Sequence, residues 1–269
     1  MNQIDQTDRT PATIHEPQAT DHDPLATAPQ PPGEEKAAAV EAMFGRLAQG
    51  YDLANTLISF GQHRLWKRRA VRLAAIPPGG RALDLCTGTG DLAILLANGI
   101  GPTGSVVGLD FCGPMLEIAS RRTDRARTTL SAPVDLVRAR AEQLPLQGSS
   151  FDACTVAFGL RNVADLHAAL CELMRVLKPG GRLVSLDVST PASPLYGRAY
   201  AFYFEKLLPM IGSVVNRSLN DYAYLPRSAK TFPQRQEMCR HMIDAGFVNA
   251  RFHSLSGGAV AIHVAEKAS

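Results

Sequence analysis

No stretch of this chain stays apolar for the ~18 residues that a membrane-spanning helix needs, so no transmembrane anchor is expected. Cysteine is scarce and badly spaced for cross-linking: Cys86, Cys112, Cys154, Cys171 and Cys239 are odd in number, and no two form a C-x-x-C pair. That speaks against a disulfide framework and against zinc, and it fits a reducing, cytoplasmic setting. No other metal-ligand spacing is evident, so no metal is expected. Charge of one sign is also lacking. With 28 Lys and Arg against 25 Asp and Glu, the formal charge of +3 is too small to argue for a nucleic-acid partner. The N-terminal stretch has no basic region leading into an apolar core. Its Asp5, Asp8, Glu16, Asp21 and Asp23 argue against a secretory signal or transit peptide.

What is present divides into three parts. Residues 1–33 are rich in Pro, Thr, Asp and Gln and poor in large apolar groups, and they read as a disordered tail. Residues 34–76 read as a helical arm. Val40, Met43, Phe44, Leu47 and Tyr51 recur at helical spacing between Glu34 and Asn55, and a second helix spans Gln62–Ala75 before Pro77-Pro78-Gly79-Gly80. Residues 77–269 then alternate. Strands are expected at Arg81–Leu85, Ser105–Asp110, Val134–Arg138, Phe151–Ala157 and Arg182–Val188, with helices at Asp91–Asn98, Pro114–Arg122 and Asp165–Leu177. Such alternation implies right-handed crossovers and a parallel sheet covered on both faces. A helix at Pro233–Ala245 and a hairpin of Phe247–Leu255 with Ala259–Glu266 close the chain, which makes one terminal strand antiparallel.

The most informative stretch is Asp84-Leu85-Cys86-Thr87-Gly88-Thr89-Gly90-Asp91, which follows a strand and opens a helix. Gly88 and Gly90 allow a tight turn and close approach of a ligand. The turn satisfies the dinucleotide pattern G-x-G-x-x-A formally, and it equally suits S-adenosylmethionine, which wants an acidic residue before a glycine turn. Asp91, beside the helix N-terminus, would repel a pyrophosphate and tolerate a sulfonium, and so tilts the choice. Asp110 ends the second strand, 20 residues beyond Gly90, where a carboxylate accepts ribose hydroxyls in either case. Arg140 and Ala141 follow the third strand, where an adenine ring would pack.

Three further segments are more specific. FGRLAQGYDLANTLISFGQHRLWKR (44–68), FGLRNV (158–163) with RVLKPGGRL (175–183), and DYAYLPRS (221–228) together resemble the ubiquinone/menaquinone biosynthesis C-methyltransferases over roughly residues 37–267. The resemblance implies a class I, Rossmann-like α/β fold: a three-layer sandwich on a seven-stranded, mostly parallel sheet with one antiparallel strand, plus the N-terminal arm. It implies methyl transfer from S-adenosylmethionine to a ring carbon of a polyprenylated quinol, demethylmenaquinol giving menaquinol first, the benzoquinol of the ubiquinone path second. It places cofactor contacts at Thr87, Asp110, Arg140 and Ala141, to which the turn itself adds Gly88 and Gly90. Two positions depart from the family pattern: Arg140 stands where Asn or Asp is usual, and Ala157 where Ser is frequent.

Ring carbon is a poor nucleophile until the phenol loses its proton, so the site needs a positive group for the phenolate and an acceptor for the proton. Arg161 is the candidate for the charge, Asn162 for a hydrogen bond beside it, and Tyr51, with Asp52, for positioning the quinol oxygen from the arm. Arginine hardly deprotonates, which leaves a water near Arg161, or Asp187, as first acceptor. His63, alone on a basic helix, reads more readily as a solvated or capping residue than as a base. The apolar run 199–215 reads as a cover helix or as a wall for the polyprenyl tail, and the basic stretch around Trp66 as a solvated face or a contact with lipid phosphates. Peripheral membrane contact and homodimerisation stay open. So do a methyltransferase acting on another lipid-like acceptor and a non-catalytic quinone-binding subunit.

Overall fold

The computed structural model describes residues 14–15, 32–191, 193, 197–198, 200, 202–203 and 228–269. Seven strands form where the sequence indicates them: β2 (Arg81–Leu85), β3 (Ser105–Asp110), β4 (Val134–Arg138), β5 (Phe151–Ala157), β6 (Leu177–Val188), β7 (Val248–Leu255) and β8 (Val260–Glu266). An eighth, β1, is only Ile14–His15. It lies parallel to β4, opposite Leu136 and Val137, and is drawn from the stretch expected to be a disordered tail. The order across the sheet is β1-β4-β3-β2-β5-β6-β8-β7, and β8 alone runs against its neighbours.

Helices cover both faces, as a parallel sheet requires. On one face lie α3 (His63–Ala74), α4 (Asp91–Ile100) and α5 (Gly113–Ala126). There Ala70 and Ala74 meet Ala153, Val184 and Ile262, while Leu96 and Ile100 meet Ala82 and Val106. On the other lie α6 (Leu166–Val176) and α7 (Arg235–Asp244), whose Leu170, Leu173, Met238 and Met242 pack on Leu83, Leu183 and Phe247. Each large side chain buried this way stabilises the fold by ~1.5–3 kcal/mol before chain entropy is counted.

Boundaries differ from expectation where local chemistry decides. The single helix expected at Glu34–Asn55 is two, α1 (Pro32–Leu47) and α2 (Tyr51–Ile58), joined by a tighter turn over Ala48–Gly50. Gly50 is the weak point, and the break there redirects Tyr51 and Asp52. Pro179-Gly180-Gly181 falls inside β6, not before it: Leu177 pairs with Phe151 and Arg182 with Ala153, so the intervening residues loop out of register. Asp165 is the N-cap of α6 and accepts the Ala168 N–H at 3.0 Å.

The consequence for a site is positional. Chain order reverses between β2 and its neighbours β3 and β5, so crossovers diverge there and open a crevice at the carboxyl ends of the strands. The segments after β2, β3, β4 and β5 all end at that crevice, and the arm lies across it.

Candidate active site

The turn after β2 is held from beneath. The Thr87 hydroxyl donates to Asp84 Oδ2 at 2.6 Å, and Thr155 donates to Oδ1 at 2.9 Å. Burial pushes the Asp84 carboxyl up to about 6 in spite of both bonds. The Thr87 N–H donates to the Leu109 carbonyl at 3.0 Å, and its own carbonyl accepts from Gly90 at 3.0 Å. Thr87, expected as a cofactor contact, thus has its hydroxyl, N–H and carbonyl engaged in shaping the turn. Gly90 takes φ +83°, and a Cβ there would stand 3.2 Å from that of Ala119, so it serves the packing of α4 on α5. Gly88, at φ +56°, is the glycine that faces the crevice.

Asp110 ends β3 with both oxygens occupied on one side: Gly88 N–H donates to Oδ2 at 2.8 Å and Cys112 N–H to Oδ1 at 2.9 Å. Burial lifts its carboxyl to about 6 against these bonds and one from Phe111. The remaining lone pairs open on two adjoining lobes of the crevice. One, of ≈ 390 Å³, is lined by Ala37, Leu109, Phe111, Arg140, Ala141 and Val163 among others. The second, of ≈ 370 Å³, is lined by Phe44, Tyr51, Gly88, Met115 and Phe158 among others. Cys86, Asp110, Phe111, Gly159 and Asn162 border both.

The two lobes fit an adenosyl cofactor laid across the strand ends. Apolar walls at Ala141, Val163 and Phe111 suit a purine, and Asp110 at the junction suits a ribose diol. A Cβ on Gly159 would lie 2.4 Å from the Cys86 Cβ, so only glycine keeps the floor open. Asn162 Nδ2 donates to the Phe158 carbonyl at 3.1 Å, whereas its buried Oδ1 has no hydrogen-bond partner among the described residues. Arg140 borders the first lobe with its Nε 3.8 Å from Glu142 Oε2.

A third cavity of ≈ 670 Å³ lies beyond Phe158, which forms a wall of it and of the second lobe. Asn55, Ser59, His63, Trp66, Arg161 and Tyr203 are among its lining residues. Phe158 has φ +59°, a strained conformation for an aromatic residue, and its ring centroid is 6.4 Å from that of Trp66. Arg161, 4% exposed, donates from Nη1 to the Phe158 carbonyl at 2.6 Å and to Asp187 Oδ1 at 2.8 Å. Burial raises the Asp187 carboxyl, although Arg161 and the Val188 N–H oppose it. Arg161 and Asn162, adjacent in sequence, therefore face different cavities. The neighbours expected to act side by side are divided by Phe158, and Tyr51 lies on the cofactor side.

Sequence reasoning missed how the arm is fastened. Asp52 accepts Thr89 Oγ1 at 2.7 Å and Arg122 Nη1 at 2.8 Å, and Arg122 also donates to the Thr89 carbonyl at 3.0 Å and, from Nη2, to Asp91. Lys67 completes the cluster at 3.0 Å from Asp91 Oδ2. Burial would raise the Asp91 carboxyl, but Lys67 and Arg122 more than offset that and hold it near about 2. The expectation that Asp91 presents an open negative charge to a ligand is therefore corrected: its charge is spent on two cations. Lys36 Nζ donates to the Val163 carbonyl at 2.7 Å and Glu41 pairs with Arg138 at 3.0 Å, which lays α1 over the first lobe. Nothing in local periodicity marks such pairs, because they join segments far apart in the chain.

Known proteins resemble the chain in both sequence and fold. Residues 33–267 match the ubiE/COQ5 methyltransferase family. A demethylmenaquinone methyltransferase of Staphylococcus aureus (strain JH9) is 40% identical over 228 residues, 85% of this chain and 92% of that protein. Among solved structures, a SAM-dependent methyltransferase of Thermotoga maritima, a possible histamine N-methyltransferase, aligns with a TM-score of 0.58 at 24% identity, over 85% of this chain and 99% of that one. A chain of the complex between the Haloferax volcanii Trm112 methyltransferase activator and the putative methyltransferase gives 0.60 at 18% identity, over 84% and 98%. At these identities the structural likeness speaks for the fold, which is the Rossmann-like methyltransferase sandwich expected from the sequence.

Proposed function

The chain belongs to the ubiE/COQ5 methyltransferase family, with S-adenosylmethionine as methyl donor, and from that premise we propose that it methylates a ring carbon of a polyprenylated quinol, demethylmenaquinol in the first place. The observation that carries this reading is the ≈ 670 Å³ cavity beyond Phe158, walled by Ile58, Trp66, Val188, Tyr203 and Val260. A flat bicyclic quinol suits such walls. Phe158 lines both this cavity and the second lobe, so an acceptor ring and a methyl donor would sit in adjoining spaces that meet at that residue. Orientation of this kind is worth up to roughly 7–11 kcal/mol of a barrier.

The cofactor, when bound, supplies an electrophilic methyl group. The remaining work falls to the chain. Asp110 accepts the ribose hydroxyls, Gly88 and Gly159 leave the room, and Arg140 and Ala141 border the purine. Arg161 places its guanidinium at the acceptor cavity, where a quinol oxygen gains charge, with Asp187 fixing its orientation from behind. Tyr51 and Asn162 border the cofactor side of Phe158 and orient the methyl donor against the ring.

Peripheral contact with a bilayer belongs to the same reading. Leu53, Leu57, Phe60 and Leu65 are exposed on α2, α3 and the turn between them, beside the cavity residues Asn55, Ile58, Ser59 and Trp66. Arg64, Arg68, Arg69 and Arg72 are exposed on α3. Among the described residues no helix is long and apolar enough to cross a membrane. The apolar run 199–215, read above as a wall for the polyprenyl tail, lies largely outside the described residues.

Quinones extracted from cells lacking this protein test the proposal. Accumulated demethylmenaquinone supports it. An accumulated unmethylated benzoquinol moves the substrate to the ubiquinone path, and an unchanged quinone pool refutes both.

A further inference from the structure

His63 was expected to be a solvated or capping residue at the head of a basic helix. It is instead buried, 4% exposed, and it lines the acceptor cavity with Arg161 and Trp66. Its hydrogen bonds fix its tautomer. Ser59 Oγ donates its single proton to the Asn55 carbonyl at 2.6 Å, since a carbonyl can only accept. The same Oγ then has only lone pairs to offer His63 Nδ1, 2.8 Å away, and the His63 backbone N–H at 3.3 Å. With the Ser59 proton on the Asn55 carbonyl, Nδ1 carries the ring proton, which leaves Nε2 with an open lone pair. Nε2 makes no hydrogen bond to a described residue, and it is not among the sealed, unpartnered polar atoms.

We propose that His63 Nε2 is the general base that takes the phenolic proton of the acceptor, an inference that rests on the quinol methyltransferase reading above. The O–H bond breaks, its electron pair stays on the oxygen, and the proton forms an N–H bond at Nε2. Arg161, on the same cavity, meets the resulting phenolate. Once the ring carbon has gained its methyl group, the proton on that carbon leaves to solvent water. The oxygen recovers its proton from the imidazolium, so one proton is released per turnover and His63 returns to its starting state.

The surroundings favour this role over the alternatives. Burial, Lys67 and Arg64 lower the basicity of His63, while Asp91 and Asp52 raise it, with the net below its ordinary value; the ring is neutral and ready to accept at neutral pH. Asp187, the acceptor expected from sequence, is 1% exposed, has Arg161 and the Val188 N–H on one oxygen, and is not among the described residues lining the acceptor cavity.

The test uses the full chain with S-adenosylmethionine and a chemically reduced 2-prenyl-1,4-naphthoquinol. His63→Gln should lower kcat by on the order of 10²-fold or more with unchanged affinity for S-adenosylhomocysteine. It should also abolish the acidic limb of the kcat/KM profile. Ser59→Ala keeps the imidazole but removes its partner, and it should move that limb to lower pH, a displacement that a packing role would not produce. Nitrogen-15 spectra of the histidine rings in wild type should place the His63 proton on Nδ1, a readout independent of turnover. A His63→Gln rate near wild type, an unmoved limb in Ser59→Ala, or a proton on Nε2 overturns the assignment and leaves the quinol reading intact. A wild-type protein that binds S-adenosylhomocysteine yet methylates no quinol ends both.

Discussion

Asp52, on the arm, accepts a 2.8 Å hydrogen bond from Arg122, on α5 of the sheet domain. Between them stands Thr89 of the glycine turn, whose hydroxyl donates to the same carboxylate at 2.7 Å. The arm is thereby fastened to the backbone that shapes the cofactor crevice, and α1 carries Ala37 and Phe44 over its two lobes.

Loosening that fastening should weaken cofactor binding. Asp52 and Arg122 are partly exposed, so solvent discounts the pair to about 1 kcal/mol. Asp52→Ala, which leaves the Arg122–Asp91 pair in place, is expected to weaken S-adenosylhomocysteine binding by about fivefold, read by calorimetry. Arg121→Gln removes an exposed pair with Glu117 and should change nothing measurable.

Gly159→Ala should be severe, since the new Cβ would lie 2.4 Å from the Cys86 Cβ and 2.8 Å from its sulfur. Overpacking of this kind costs about 1–3 kcal/mol, and here it also narrows both cofactor lobes. Cys86 sits at φ +54°, a conformation glycine adopts freely. Adding Cys86→Gly should therefore restore part of the lost stability and binding, as measured by thermal unfolding with and without S-adenosylhomocysteine.

Asp110 should link cofactor binding to pH. Its folded value of about 6 lies above the unfolded 3.8. The ligand-free fold is thus favoured by its protonated form, and that contribution is lost as pH rises from about 4 through 6. Accepting ribose hydroxyls favours the carboxylate, so binding near pH 6 should release a proton, and affinity should fall as pH drops below 6. Calorimetry in buffers of different ionisation enthalpy reads the release directly. Asp110→Asn should show weaker affinity and no proton release.

Arg161→Ala should lower turnover much more than cofactor affinity. It also leaves Asp187 buried without its cation, a loss worth about 3–5 kcal/mol. Arg161→Ala with Asp187→Asn removes the stranded charge. The double variant is expected to regain most of the stability and none of the rate, which separates folding from chemistry.

Bilayer contact can be tested at Phe60, 75% exposed at the turn between α2 and α3. Phe60→Asp should reduce flotation with anionic vesicles. It should also slow methylation of a long-tailed quinol in vesicles while leaving a short-tailed, water-soluble quinol unaffected. Equal flotation of variant and wild type would remove this surface from the account.

The sheet was legible because β2, β3, β5 and the core of β6 are buried on both faces and read as largely apolar runs such as Val106–Leu109. The turn at the crevice was legible because Gly88 takes a positive φ and an acid, Asp110, ends β3 beside it. What escaped was nonlocal. Ile14–His15 joins the sheet by backbone pairing, which its composition does not advertise. Asp91 was read by its place at a helix end, but Lys67 and Arg122, 24 and 31 residues away, set its charge. Arg161 and Asn162 were read as one unit, yet the Leu160–Asn162 turn points successive side chains to different cavities around Phe158. His63 looked solvated on a helix rich in arginine, yet it is 4% exposed and lines the cavity of Arg161.

Methyl transfer to a ring carbon held in the cavity that adjoins the cofactor lobes at Phe158 is the claim on which the rest depends. Its most direct test is a single incubation of purified protein with S-adenosylmethionine labelled in the methyl group and reduced 2-prenyl-1,4-naphthoquinol, followed by mass and carbon-13 analysis of the product. One labelled methyl on the free ring carbon beside the prenyl chain is the predicted result. A label on oxygen, or an unmethylated quinol recovered from protein that binds S-adenosylhomocysteine, would contradict it.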